Sequence, residues 1–162
     1  MKSNILSFVF SAIALSASAK AGTLDRYTPA VAKSVRQEFG GIRQDYFLPG
    51  RPVSDQVMMG LGIPNPNKLL PEGNTLISGC RRHSCDEKSA VIVTSAGAML
   101  AAGMIYFSCS PKPGDRTRNC DFGPYFRIFL KKQNDRPDFV QELQDWAVRQ
   151  GYKGAPETQI LR

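Results

Sequence analysis

The chain has 162 residues, 42% of them hydrophobic, with 21 Lys and Arg against 14 Asp and Glu for a net charge of +7. That length fits one domain with a real core and leaves no room for a second of similar size. No internal repeat or low-complexity segment is present, and the positive charge is scattered along the chain. It therefore speaks to solubility and to anionic partners and not to fold.

The first residues read as a signal peptide. Lys2 supplies a positive start, residues 5–18 are uncharged and largely apolar, and Ala17-Ser18-Ala19 forms a small-residue cleavage site, with Ala19-Lys20-Ala21 as a second option. The apolar run is shorter than the roughly 20 residues of a stable span, so no stable membrane insertion is expected. No Cys follows it to accept a lipid. Cleavage after Ala19 leaves 162 − 19 = 143 residues, residues 20–162, as one domain, and removing Lys2 lowers the charge from +7 to +6. The mature chain is expected to be exported.

Thr28-Pro29 reads as an N-cap followed by a first-turn proline. Tyr27, Val31, Val35 and Phe39 then recur every four residues, and Gly40-Gly41 ends the helix. Residues 45–68 carry Pro49, Gly50, Pro52, Pro64 and Pro66, which predicts a long surface connection wrapping the core, with order only around Val57-Met58-Met59 and room for one short strand. Residues 74–78 and 89–94 predict strands on either side of Cys80 and Cys85. Ser95-Ala96-Gly97 is a turn, residues 99–108 a longer strand, and residues 109–120, with Pro111, Pro113 and Gly114, a loop. Residues 125–130 form a further strand in which Tyr125, Arg127, Phe129 and Lys131 alternate with Phe126, Ile128 and Leu130. Asp135-Arg136-Pro137-Asp138 starts a last helix with Asp135 as N-cap; Phe139, Leu143, Trp146 and Ala147 mark its buried face, and Gly151 stops it. Residues 152–162 show no period and are expected to be loose.

The fold class that follows is α+β: an antiparallel meander with an N-terminal and a C-terminal helix packed on one face and a stapled, protruding loop. Four cysteines in an exported chain read as two disulfides. Three pairings are possible and sequence alone does not choose among them. Cys80–Cys85 with Cys109–Cys120 is favoured because each pair staples a polar turn between two apolar runs.

The stretch Cys80-Arg81-Arg82-His83-Ser84-Cys85 holds the sole histidine of the chain. As a general base His83 lacks a placed partner, no Gly-x-Ser-x-Gly elbow accompanies Ser84, and an oxidised Cys85 is no nucleophile, so the protein is not read as an enzyme. Cys-x4-Cys is looser than a zinc knuckle, and export favours disulfides, so neither metal nor cofactor is expected. A short closed ring bearing one imidazole and two guanidinium groups suits insertion into an acidic cleft, such as the carboxylate pair of a glycoside hydrolase. The second basic segment, Lys112, Arg116 and Arg118, reads as a solvated loop. With only Phe107, Phe122 and Tyr125 nearby, it lacks the interleaved aromatics of a nucleic-acid site.

Residues 75–107 resemble the Ivy family, the periplasmic proteinaceous inhibitors of C-type lysozyme. The likeness lies in an apolar strand, Leu76-Ile77-Ser78-Gly79, then Cys-x-x-His-x-Cys over Cys80–Cys85. A strand at Ser89-Ala90-Val91-Ile92-Val93 and a strand at Met99-Leu100-Ala101-Ala102-Gly103-Met104 follow. The resemblance implies a Cys80–Cys85 staple, an inhibitory loop of Cys80, Arg81, Arg82, His83, Ser84 and Cys85, and His83 set against the catalytic carboxylates. It also implies C-type lysozyme or another muramidase as partner, a homodimer, and a role in evading host defence. Arg81-Arg82 and Ser84 stand here where the family usually carries Lys-Pro and Asp. The alternative reading is a non-catalytic cell-envelope module that binds glycan or an envelope protein.

Overall fold

The computed structural model describes residues 29–110, 119–132 and 136–162, except the side chains of residues 108–110 and 119–122. The expected signal peptide, the N-caps Thr28 and Asp135, the Cys109–Cys120 bridge and the side chains of Lys112, Arg116 and Arg118 lie outside those residues. Among the described residues the fold is α+β. Three α-helices, α1 (Pro29–Phe39), α2 (Val53–Gly60) and α3 (Pro137–Arg149), accompany a seven-stranded sheet. Its strands are β1 (Ile63–Pro64), β2 (Lys68–Leu69), β3 (Thr75–Arg81), β4 (Ser84–Val93), β5 (Met99–Ser110), β6 (Asn119–Lys131) and β7 (Glu157–Leu161).

The meander is β3 to β6, each antiparallel to the next. β1 and β2 both pair with β3 along its outer edge, and β7 closes the opposite side parallel to β6. Side chains alternate across the sheet, so each strand feeds two cores. On one face Ile77, Val91, Val93, Ala102, Met104, Tyr106 and Phe129 meet Val31, Val35 and Phe39 of α1 and Val53 and Val57 of α2. On the other, Leu76, Ala90, Ile92, Ile105, Phe126, Ile128 and Leu130 meet Phe139, Leu143, Trp146 and Ala147 of α3. Burial on both faces explains why these strands read as nearly continuous apolar runs. Each large side chain so buried contributes about 1.5–3 kcal/mol.

Four expectations are corrected. The terminal helices lie on opposite faces, because α3 crosses over between the parallel strands β6 and β7 while α1 covers the face shared with α2. Residues 152–162 are not loose: β7 pairs Arg127↔Glu157 through Lys131↔Leu161, and Tyr152 and Leu161 are buried. The proline-rich connection contains a whole helix, α2, entered from Pro52 at its N-cap position. Cys109 and Cys120 belong to the backbone of β5 and β6 and not to a loop, because these two strands stay paired as far as Ser110↔Asn119. At α3 the residue preceding the helix is Arg136, whose guanidinium pairs with Asp138 and Glu72.

Candidate functional site

The β3–β4 hairpin ends in a two-residue turn, Arg82-His83, closed by the pair Arg81↔Ser84. One residue earlier the register jumps to Cys80↔Lys88, so Cys85, Asp86 and Glu87 bulge from β4 without opposite partners. Cys80 and Cys85 are joined by the expected disulfide across this irregular pairing, with their Cα atoms 4.8 Å apart. A bulge re-aims the side chains beside it. Here it turns Glu87 inward, where it is 8% exposed and ion-paired with Arg81. The Lys88 ammonium donates to the Cys85 carbonyl and pins the same bulge.

The six residues singled out in the sequence therefore divide. Cys80, at 7% exposure, and Cys85 form the staple. Arg81 is half-buried and braces the base, donating to Glu87 and, at 3.4 Å, to the Phe47 carbonyl. Ser84 is half-buried at the turn. Arg82 and His83 are exposed, and among the described residues neither is recorded with an ion pair or a hydrogen bond. His83 holds φ +67°, in the left-handed region where side chains other than glycine are uncommon.

The hairpin base rests on α2. Ile63 pairs with Cys80, and a Cβ on Gly79 would strike the Ile63 carbonyl and lie 3.0 Å from the Leu61 carbonyl, so only glycine lets the two backbones meet. Gln56, fully buried in α2, organises the segment before it. Its Oε1 accepts from the amides of Tyr46, Phe47 and Leu48 at 3.2, 2.7 and 3.0 Å. Its Nε2 donates to the carbonyls of Gln44 and Arg51 at 2.7 and 2.9 Å. Gln56 thus holds Phe47 where its carbonyl meets Arg81. Sequence reasoning missed this residue, although Pro52 ahead of Val53, Val57 and Leu61 was a usable helix-start signal.

Between α2 and the hairpin lies an open cleft of about 510 Å³, lined by Asp55, Met58, Met59, Gly62, Arg81 and Arg82. A separate polar cluster sits where β6 meets β7. Arg127 pairs with Glu157, reaches Gln159 at 3.4 Å and stacks 5.7 Å over the Tyr46 ring. Burial pushes the Tyr46 phenol up to about 12, against the opposing pull of Arg127, and pushes the Tyr106 phenol up as well. Trp146, by contrast, is core: it is 2% exposed and packs 6.0 Å from the Phe126 ring.

Among the described residues no three His, Cys, Asp or Glu side chains cluster as a metal site, and no helix is long and apolar enough to cross a membrane. Cys80 and Cys85, being bonded to each other, have no thiolate to offer a metal. The arrangement presents a guanidinium and an imidazole on a braced, disulfide-closed turn, with a cleft of charged and apolar lining at its flank. No family model, curated protein or solved structure matches the chain.

Proposed function

We propose that this protein is an exported, periplasmic inhibitor of a lysozyme-like muramidase, akin to the Ivy family, that occludes the enzyme's active site with the Cys80–Cys85 hairpin. The observation that carries the reading is His83: exposed, without a side-chain partner among the described residues, and held at φ +67° at the apex of a stapled turn. Left-handed backbone costs an L-residue about 1–2 kcal/mol, and such strain gathers at functional sites. The carboxyl groups of a retaining glycoside hydrolase stand about 5–5.5 Å apart, close enough for one imidazole to face both. Arg82 adds a fork that matches a carboxylate. Because the turn is already fixed by the disulfide, little ordering remains to be done on binding.

The net charge of +6 that remains once residues 1–19 are removed bears on the target. An acidic muramidase is drawn in by long-range attraction, whereas a basic one is met against repulsion that fades beyond about 10 Å at 0.1 M salt. The test is inhibition of a panel of basic and acidic muramidases by the oxidised mature protein, with His83→Ala alongside. Inhibition lost in His83→Ala supports the mechanism; full inhibition by that variant sinks it. The same positive charge favours, as a second reading, a non-inhibiting module that binds anionic envelope polymers. Retention on peptidoglycan sacculi without inhibition of any muramidase would select it.

A further inference from the structure

The cleft beside the hairpin has a built-in polarity. Asp55 lies in the first turn of α2, Met58 and Met59 one turn on, and Gly62 just past the helix end. At Gly62 an added Cβ would lie 3.5 Å from the Arg82 amide, so Arg82 marks the far end. From Asp55 to Gly62 the helix rise gives a separation of about 10 Å. Among the described residues neither Asp55 nor Arg82 is recorded in an ion pair, whereas Arg81, also in the lining, is neutralised by Glu87. Met58 and Met59 are half-buried against the α1–α2 core, leaving soft apolar surface between the two charges.

We propose that this cleft is the second half of the docking surface and receives an extended rim segment of the inhibited enzyme, ordered acid, apolar, base. The acid meets Arg82, the apolar side chain lies on Met58 and Met59, and the base meets Asp55. Alternate residues of an extended chain point the same way at about 3.3 Å per residue, so acid, apolar and base at positions 1, 3 and 5 span about 13 Å. That reach covers the separation of Asp55 from Gly62, beside which the Arg82 amide lies. The proposal rests on the inhibitor reading for the identity of the partner, but not for the chemistry of the cleft.

Two measurements separate the two ideas. The first uses no enzyme. The peptide Glu-Ser-Leu-Ser-Lys, added to the oxidised protein, shifts the Met58 and Met59 methyl resonances, and Glu-Ser-Leu-Ser-Glu binds about tenfold more weakly. In Asp55→Lys the preference reverses. A peptide series that ignores Asp55→Lys, or that leaves both methyl groups unmoved, overturns the cleft. The second measurement takes a muramidase that the protein inhibits: Asp55→Lys raises the inhibition constant about tenfold while the unfolding midpoint stays within a few degrees. Inhibition that depends on His83 alone overturns the cleft and leaves the inhibitor reading standing. Peptide recognition by a protein that inhibits no muramidase overturns the inhibitor reading and leaves the cleft.

Discussion

Replacing Gln56 by Met tests whether one buried amide holds the segment that braces the hairpin. The two side chains are of similar length, so the substitution removes five hydrogen bonds and leaves little void. The carbonyls of Gln44 and Arg51 belong to exposed residues and can turn to water. The amides of Tyr46 and Phe47 belong to residues 5% exposed and lose their acceptor, and Leu48 is half-buried. A buried donor left unsatisfied costs about 1–3 kcal/mol. Two such donors, relieved in part by local relaxation, give a loss of about 3 kcal/mol, a large share of the roughly 5–15 kcal/mol that holds a domain together. Urea denaturation with an unchanged slope measures the loss, and hydrogen exchange at the Tyr46 and Phe47 amides reports its place. A loss below about 1 kcal/mol with both amides still protected would show that the segment is held by something other than Gln56.

Removing the staple as Cys80→Ala with Cys85→Ala opens a ring of sequence separation 5. The chain-entropy estimate is about 2 kcal/mol, read as a lower melting temperature that reductant no longer changes at this hairpin. His83→Gly relieves the positive φ and raises stability by about 0.5–1 kcal/mol while removing the imidazole, so melting and inhibition should move in opposite directions. A variant that melts earlier would refute the strain argument. Tyr46 gives the alkaline limit. Its proton is held up to about 12 in the fold but leaves near 10 in the unfolded chain, so above pH 10 the unfolded state binds fewer protons and stability falls until about pH 12. Tyr46→Phe flattens that decline without abolishing it, since Tyr106 is raised too, and absorbance at alkaline pH follows both phenols.

What the sequence disclosed and what it withheld follow from the range of the interactions. The α1 and α3 stripes were legible because each repeats its period within a few residues, and the strands β3 to β6 because their apolar runs are bounded by turn residues. Cys80 and Cys85 were legible as a staple because they are near in sequence and their flanking runs pair antiparallel. β7 was not, since Glu157-Thr158-Gln159-Ile160-Leu161 carries no period of its own and becomes a strand only by pairing parallel to β6, some thirty residues away. α2 hid behind prolines that looked like loop punctuation, although Pro52 sits just outside the helix and Pro64 lies in β1, clear of both helix interior and central strand. The division of labour between Arg81 and Arg82 was invisible for another reason. It depends on the bulge at residues 85–87, which delivers the carboxylate of Glu87 to one guanidinium and leaves the other without an ion pair among the described residues.

That division also explains how a cationic tip can be presented without loosening the fold beneath it. A buried carboxylate beside a bare backbone carbonyl would be costly alone, and a single Arg81 answers both, reaching Glu87 and the Phe47 carbonyl. The Phe47 carbonyl is in place because Gln56 fixes the amide of the same residue, and α2 is in place because Val53 and Val57 are fully buried against α1 and the sheet. The bracing therefore runs from the apolar core to the hairpin through groups that each have a partner, and it ends at Arg82 and His83, which have none among the described residues. Any substitution along that line loosens the turn from behind. Variants at Gln56 or Arg81 should then weaken binding through the ordering that the turn must recover, with Arg82 and His83 themselves unaltered.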